Sequence, residues 1–309
     1  MKPMPARGPG ISLLVRILVP IVLLAVIWAL ADTDETLRRL GNVHWGWAGA
    51  AVAGVSLQTI LSTMRWQWVS NSLGAPLSYR FAVGEYYLSQ LVNQSVPGGV
   101  VGDAARAVRA RSSGGLSRAA QAVIIDRMIG QISLWSVLAA AMIVAVATPE
   151  GIAWPLDRRA MAIALGLAIA LGAAGLWLWR SRSATARHLG AAIYEAVLAP
   201  DIRWRQLGLA LAIVGVNLAS FAFAAAATGT SLSLEATLTL VPLILSAMLI
   251  PATIAGWGFR EGAAAALFPL AGASASAGFA ASLLFGLVML VASLPGLAVL
   301  IGKRGAVTP

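Results

Sequence analysis

The segment "QSVPGGVVGDAARAVRA", from Gln94 to Ala110, places a proline, three glycines, an aspartate and two arginines inside an otherwise apolar chain. A second segment, "IPATIAGWGFRE", runs from Ile250 to Glu261. In both segments a glycine follows the proline by five residues and an arginine follows it by nine. Because proline and glycine interrupt helices, the two segments predict two breaks of related design.

The composition predicts a membrane protein. Of 309 residues, 59% are hydrophobic and only 11% are charged, and the mean hydropathy is +0.82. Such values are typical of a polytopic membrane protein and leave no room for a sizeable soluble domain. Cysteine is absent, which excludes disulfides and thiolate chemistry. His44 and His188 are expected to be solvated loop residues, so no metal or other cofactor is expected.

The net charge of +10 does not indicate nucleic-acid binding, because most basic residues flank apolar runs, as the positive-inside rule predicts. The basic start and the acidic residues after the first apolar run predict a retained first helix rather than a cleaved signal peptide. We expect a bacterial-type inner-membrane protein with both termini in the cytoplasm. The predicted membrane segments are Ile17–Ala31, Gly46–Met64, Met128–Thr148, Ala160–Trp179, Gln206–Leu234, Ala236–Phe259 and Gly262–Gly302.

Loop charges predict two re-entrant hairpins. The stretch from Arg65 to Arg118 is basic at both ends, which places both ends in the cytoplasm, yet its centre is apolar. A hairpin over residues 81–111 that enters the membrane and returns to the same side satisfies both facts. The same charge count predicts a second hairpin over residues 236–270, which starts and finishes outside.

The two halves of the chain, residues 11–148 and 160–302, then read as an inverted repeat of helix, helix, hairpin and helix. We therefore predict one all-α membrane domain over residues 1–309, with about six full transmembrane helices and two re-entrant hairpins. Inverted repeats with broken segments are a recurrent plan among transporters. The alternative is that proline and glycine merely kink two ordinary helices.

The broken segments are expected to expose backbone N–H groups, which attract anions. The residues assigned to the two hairpin turns are Pro97, Gly98, Gly99 and Gly102, and Pro251, Gly256 and Gly258. Asp103 is expected in the first turn of the next helix, and Arg106 and Arg109 share its face at i+3 spacing. Two arginines beside free N–H groups would suit a phosphate, which guanidinium binds in a bidentate manner.

Other polar residues near the breaks are candidates for the same site, because charges within a membrane span are costly and usually paired. The candidates for substrate binding are Asn93, Gln94, Asp103, Arg106, Arg109, Asp126, Arg127, Arg260 and Glu261. Asn93 and Gln94 could instead satisfy hairpin backbone, and Arg109, like Arg111 and Arg118, suits a solvated basic rim. The tryptophans near span ends, Trp66 among them, are interpreted as an aromatic belt.

Four segments together resemble the transmembrane domain of the lysylphosphatidylglycerol synthase family, also called flippase-like membrane proteins. They are "RWQWVSNSLGAPLS" from Arg65, "NQSVPGGVVGDAARAVRARSSGGLS", "IIDRMIG" and "IPATIAGWGFREGAAAALF". The resemblance spans nearly the whole chain. The family often has a Gly-Gly-Asp triplet, whereas here Val101 precedes Gly102.

In two-domain members of that family, the membrane part is thought to flip lipid and a cytosolic domain aminoacylates phosphatidylglycerol. This sequence shows no such second domain, so the resemblance implies a stand-alone translocase of an anionic lipid. Its cargo could be an aminoacylated or other phospholipid, a glycolipid or a polyprenyl phosphate. The alternatives are a lipid-modifying membrane enzyme and a scaffold for a lipid or glycan biosynthetic enzyme. Since no nucleophile–base pair is evident, we expect a transporter rather than an enzyme.

Overall fold

The protein is helical throughout its described part. The computed structural model describes residues 10–30, 32–96, 99–147, 184–250 and 253–304, with isolated positions between 152 and 172. The first helices are α1 Gly10–Leu30, α2 Thr33–Gly41, α3 Trp45–Ser72, α4 Tyr79–Ser95, α5 Val101–Arg109 and α6 Leu116–Ala147. Next come α7 Ala184–Ile193, α8 Arg203–Ala227, α9 Leu234–Ser246, α10 Phe259–Leu267, α11 Ala275–Ser293 and α12 Pro295–Arg304.

Short polar side chains start several of these helices. The side chains of Asp32, Ser78, Ser233 and Ser274 each accept a hydrogen bond from a backbone N–H three residues later, at 2.9 to 3.4 Å. Such N-caps satisfy donors that the helix itself leaves unpaired. The element boundaries therefore follow from local sequence.

Two buried clusters hold the helices together. One centres on Phe221 of α8, whose ring lies 5.1 Å from that of Phe285 and 6.4 Å from that of Phe268. The other surrounds Trp66 of α3 and includes small side chains of α5 and α6. Helices α3 and α8 pack closely because Gly54 leaves room for Ser220, where any larger residue would overlap the serine.

Three helical stretches in the described part are long and apolar enough to cross a membrane: Leu116–Ala147, Arg203–Ala227 and Ala275–Ile301. The first begins ahead of its predicted start at Met128, because the charges of Asp126 and Arg127 are paired and do not end the helix. The second ends before the predicted Leu234, because the chain turns at Gly229 with φ +80°. Most of the predicted segment Ala160–Trp179 lies outside the described residues.

Helix–break–helix units occur at both predicted hairpins. Helices α4 and α5 pack in antiparallel order, since Glu85 contacts Arg109 while Asn93 contacts Gly102 near the turn. Helices α9 and α10 pack against each other around a short 3₁₀ turn, Ala247–Leu249, and a loop. How either unit lies in the membrane, and the division into inverted halves, stay predictions.

Candidate functional site

The first break combines a sharp turn with a close helix contact. Pro97 and Gly98 lie outside the described residues, but Gly99 has a φ of +61°, a conformation that suits glycine. Gly102 lies on α5 directly against α4, where a Cβ atom would overlap the backbone oxygen of Ser89. Its N–H donates to Asn93 Oδ1 at 2.8 Å. Glycine at this position therefore allows α4 and α5 to pack in direct contact.

Asp103, in the first turn of α5, accepts hydrogen bonds from three side chains and forms an ion pair with a fourth. Ser89 Oγ lies 3.2 Å from Oδ1 and Asn93 Nδ2 lies 3.1 Å from Oδ2. Arg106 Nη2 is 3.1 Å from Oδ1, and Arg127 Nη2 pairs with Oδ2. Arg106 shares a face of α5 with Asp103, as the i+3 spacing predicts, and the two residues form an ion pair. These contacts fix the position of the carboxylate between α4, α5 and α6.

Asp126, on α6, is the second carboxylate of the site and is fully buried. Its Oδ1 accepts from Arg65 Nε at 2.8 Å, and its Oδ2 lies 3.1 Å from Arg106 Nη2. The hydroxyl of Tyr86 is 3.4 Å from Oδ2. Asp126 therefore bridges α3 and α5 through two arginines, and a buried charge of this kind requires such partners.

Arg106 lies against two aromatic rings. Its Cζ lies 4.6 Å from the ring centroid of Trp66 and 4.4 Å from that of Tyr86, distances typical of cation–π contacts. The side chain is only 1% exposed. Its Nε and Nη1 have no hydrogen-bond partner within the described part of the chain, and neither does Nη1 of Arg65.

Two arginines form the accessible edge of the site. The side chain of Arg127 is 51% exposed and that of Arg109 is 29% exposed, although each pairs with a buried carboxylate, Asp103 and Glu85 respectively. Gln94 follows Asn93 on α4 and is half-buried. The ion-paired residues, which we call the cationic cluster, are Arg65, Glu85, Asp103, Arg106, Arg109, Asp126 and Arg127. Among the residues that the structure describes, this cluster has four guanidinium groups and three carboxylates, so one positive charge is in excess.

The second break builds a different arrangement, which we call the neutral lock: Arg260, Glu261 and Ser282. The loop before α10 has positive φ at Ala255, Gly256 and Gly258. Glu261 Oε2 accepts from the N–H of Gly258 at 2.7 Å, which caps α10. Pro251 lies outside the described residues.

Every nitrogen of Arg260 has a partner. Nε and Nη2 donate to Glu261 Oε1, and they also donate to Ser282 Oγ at 3.0 Å and to the Ser282 carbonyl at 3.2 Å respectively. Nη1 lies 3.6 Å from the sulfur of Met289. All three residues of the neutral lock are 0% exposed. In this conformation a phosphate could bind Arg260 only by displacing Glu261.

The structure therefore brings most predicted site residues together but divides them into two groups. Asn93, Asp103, Arg106, Arg109, Asp126 and Arg127 meet at the cationic cluster, whereas Arg260 and Glu261 form the neutral lock. No ion pair or hydrogen bond joins the two groups among the residues that the structure describes. Their roles in substrate binding stay predictions.

Sequence reasoning missed several members of the cationic cluster. Arg65 contacts Asp126, Glu85 pairs with Arg109 and Ser89 contacts Asp103, and the loop-charge pattern indicates none of these contacts. The aromatic-belt interpretation is wrong for Trp66, which is fully buried under Arg106. One feature of the sequence could have indicated this. Arg65 and Trp66 lie where the apolar run of α3 ends, and an arginine at such a position requires an acidic partner.

The helices and the buried ion pairs define a multi-pass α-helical membrane protein. The sequence matches the family described as lysylphosphatidylglycerol synthase TM region over residues 13–296, and the chain belongs to this family. The predicted resemblance is thus confirmed over nearly the whole chain. No curated protein matches the sequence.

Proposed function

We propose that the protein is a translocase that moves an anionic lipid between membrane leaflets. Family membership supports a lipid-related role in the membrane. The observation that carries the proposal is the cationic cluster, which holds an excess positive charge and arginine nitrogens without partners among the described residues. Charged groups at membrane depth are expensive, and they commonly mark a substrate path.

The headgroup would reach the cluster from its accessible edge. Arg127 and Arg109 are the exposed arginines there, and guanidinium binds a phosphate more strongly than it binds a neutral headgroup. The buried Arg106 adds positive potential behind them. The acyl tails would stay in the bilayer while the headgroup follows the polar side chains of α4 and α5.

The finer features of the mechanism belong to this proposal. The α4–α5 and α9–α10 units would be re-entrant hairpins of an inverted repeat, and together they would line the path. The neutral lock would hold the second hairpin in shape, with Arg260 available to a phosphate only if Glu261 moved away. Both termini would lie in the cytoplasm of a bacterial-type cell.

Lipid translocation in proteoliposomes tests the proposal. Fluorescent phosphatidylglycerol and a polyprenyl phosphate would be compared for wild type, Arg106→Ala, Arg127→Gln and Arg111→Ala. Arg111 is exposed and outside the cationic cluster, so its variant controls for the loss of one positive charge. We expect wild type and Arg111→Ala to move at least one lipid and both cluster variants to be slower.

The result that would contradict the proposal is equal movement by all four folded proteins, or no movement by wild type with either lipid. Formation of a new lipid product by wild type would support the enzyme alternative. If cells that need the protein still grow when the arginines of the cationic cluster are replaced, the scaffold alternative would be supported. Size-exclusion chromatography and thermal unfolding establish that each variant is folded.

A further inference from the structure

The surroundings of Asp103 have the composition of an oxyanion site. One hydroxyl, one amide and two guanidinium groups converge on its carboxylate, from Ser89, Asn93, Arg106 and Arg127. These are the donors with which proteins bind phosphate oxygens. Asp126, by comparison, contacts two guanidinium groups and the hydroxyl of Tyr86.

Asp103 is also the carboxylate at the accessible side of this network. Its side chain is 8% exposed and pairs with Arg127, which is 51% exposed, whereas Asp126 is 0% exposed. The nine-residue helix α5 carries Asp103 in its first turn, just after the turn at Gly99. An incoming anion could therefore meet Arg127 before it meets Asp126.

The charge balance leaves room for one more anion. Because four guanidinium groups face three carboxylates, a ligand with one negative charge would neutralise the cationic cluster. Uncompensated buried charge is unfavourable, so such a ligand would be attracted even though each exposed arginine already has a partner. The ligand must then compete with those partners for the arginine donors.

We propose that Asp103 is a built-in substitute for the phosphate of the ligand, and that a phosphate group binds by displacing the Asp103 carboxylate from Arg127, Asn93 and Ser89. The exchange rests on the proposed function, since a lipid phosphate is its natural occupant. No covalent bond forms or breaks. The displaced carboxylate keeps Arg106 as its partner, and the phosphate oxygens take over the donors at the accessible side.

If this exchange occurs, neutralising Asp103 should strengthen anion binding rather than weaken it. The test measures binding of dihexanoyl phosphatidylglycerol to the purified full-length chain by isothermal titration calorimetry. Inorganic phosphate and glycerol phosphate form a second arm, which separates a lipid headgroup from a free phosphate. The variants are Asp103→Asn, Asp103→Ser and Glu85→Gln.

Glu85→Gln is the matched control for electrostatics. It also removes one negative charge from the cationic cluster, but the ion pair it breaks is the one with Arg109. We expect Asp103→Asn and Asp103→Ser to tighten phosphate binding by about tenfold or more, as the release of charge-assisted hydrogen bonds implies. Glu85→Gln should tighten phosphate binding by clearly less than either Asp103 variant does.

Equal tightening by Asp103→Asn and Glu85→Gln would overturn the exchange, because a general electrostatic effect would then suffice. Weaker binding in both folded Asp103 variants would overturn it too, since Asp103 would then support the site instead of occupying it. The second Asp103 variant keeps the test available if the first does not fold. Binding is measured apart from movement, so tight exchange without translocation would refute only the proposed function.

Discussion

Arg260→Met is the most informative change at the second break, because it distinguishes a structural ion pair from a substrate contact. Methionine has a similar length and would lie beside Met289, whose sulfur is 3.6 Å from Arg260 Nη1. The substitution removes the positive charge beside Glu261, which is 0% exposed in the wild-type structure. The remaining donors to Glu261 are the Gly258 N–H at 2.7 Å and the Ser282 hydroxyl at 3.1 Å.

The expected loss of stability is large. Breaking a buried ion pair by removing one partner costs about 3–5 kcal/mol, because the other charge stays buried without compensation. That loss corresponds to a fall in unfolding temperature on the order of 10 °C for a protein domain. The double variant Arg260→Met with Glu261→Gln removes both charges, so it should lose much less than the two single variants combined.

The assay is thermal unfolding of the purified protein in detergent, combined with phosphatidylglycerol binding. We expect Arg260→Met and Glu261→Gln each to lower the unfolding temperature, the double variant to regain part of the loss, and the binding affinity of each folded protein to change little. An unchanged unfolding temperature together with lost lipid binding would refute the structural role of the pair and make Arg260 a substrate contact.

Two further predictions concern other parts of the fold. Gly102→Ala should lower the free energy of unfolding by about 1–3 kcal/mol and weaken phosphatidylglycerol binding, because the added methyl group overlaps the backbone oxygen of Ser89. Gly215→Ala is the control: a Cβ atom there would have nothing within 4 Å, so the unfolding temperature should stay the same or rise. The hydroxyl of Ser274 donates to Glu35 and lowers the pKa of that carboxyl below its ordinary value of 4.5. The carboxylate therefore stabilises the fold fully above its ordinary pKa, and the effect is lost as the pH falls through the lower folded value. The unfolding temperature of wild type should exceed that of Glu35→Gln at about pH 7 and converge with it toward about pH 3; a constant difference would contradict this linkage.

Much of the local structure could be predicted because it depends on nearby residues. Apolar runs gave the positions of the long helices, and the proline and glycine segments gave the two breaks. The i+3 spacing predicted that Asp103 and Arg106 share a helix face, and in the structure they form an ion pair. The helix containing Asp126 and Arg127 was placed too late, because a charge that looks like the end of an apolar run is tolerated when a distant partner neutralises it.

The long-range contacts of the site could not be predicted from one sequence. Arg65 on α3 and Asp126 on α6 meet across 61 positions of the chain, and nothing local to either residue specifies the other. The stacking of Arg106 on Trp66 is of the same kind. A tryptophan near the end of an apolar run suits a membrane interface and a buried contact equally well, so only the packing of α3 against α4 and α5 decides between them.

The two breaks show why matched spacing does not imply matched chemistry. Arg106 and Arg260 occupy equivalent positions after a proline and a glycine, and both are almost fully buried. Arg260 is followed directly by Glu261, so its charge is neutralised within its own segment, and its nitrogens also contact Ser282 and Met289. Arg106 is followed by alanine and must share carboxylates with Arg65 and other arginines, which leaves positive charge in excess. The residue after the arginine thus separates a break whose charge is neutralised within its own segment from one that, among the described residues, keeps a positive charge in excess.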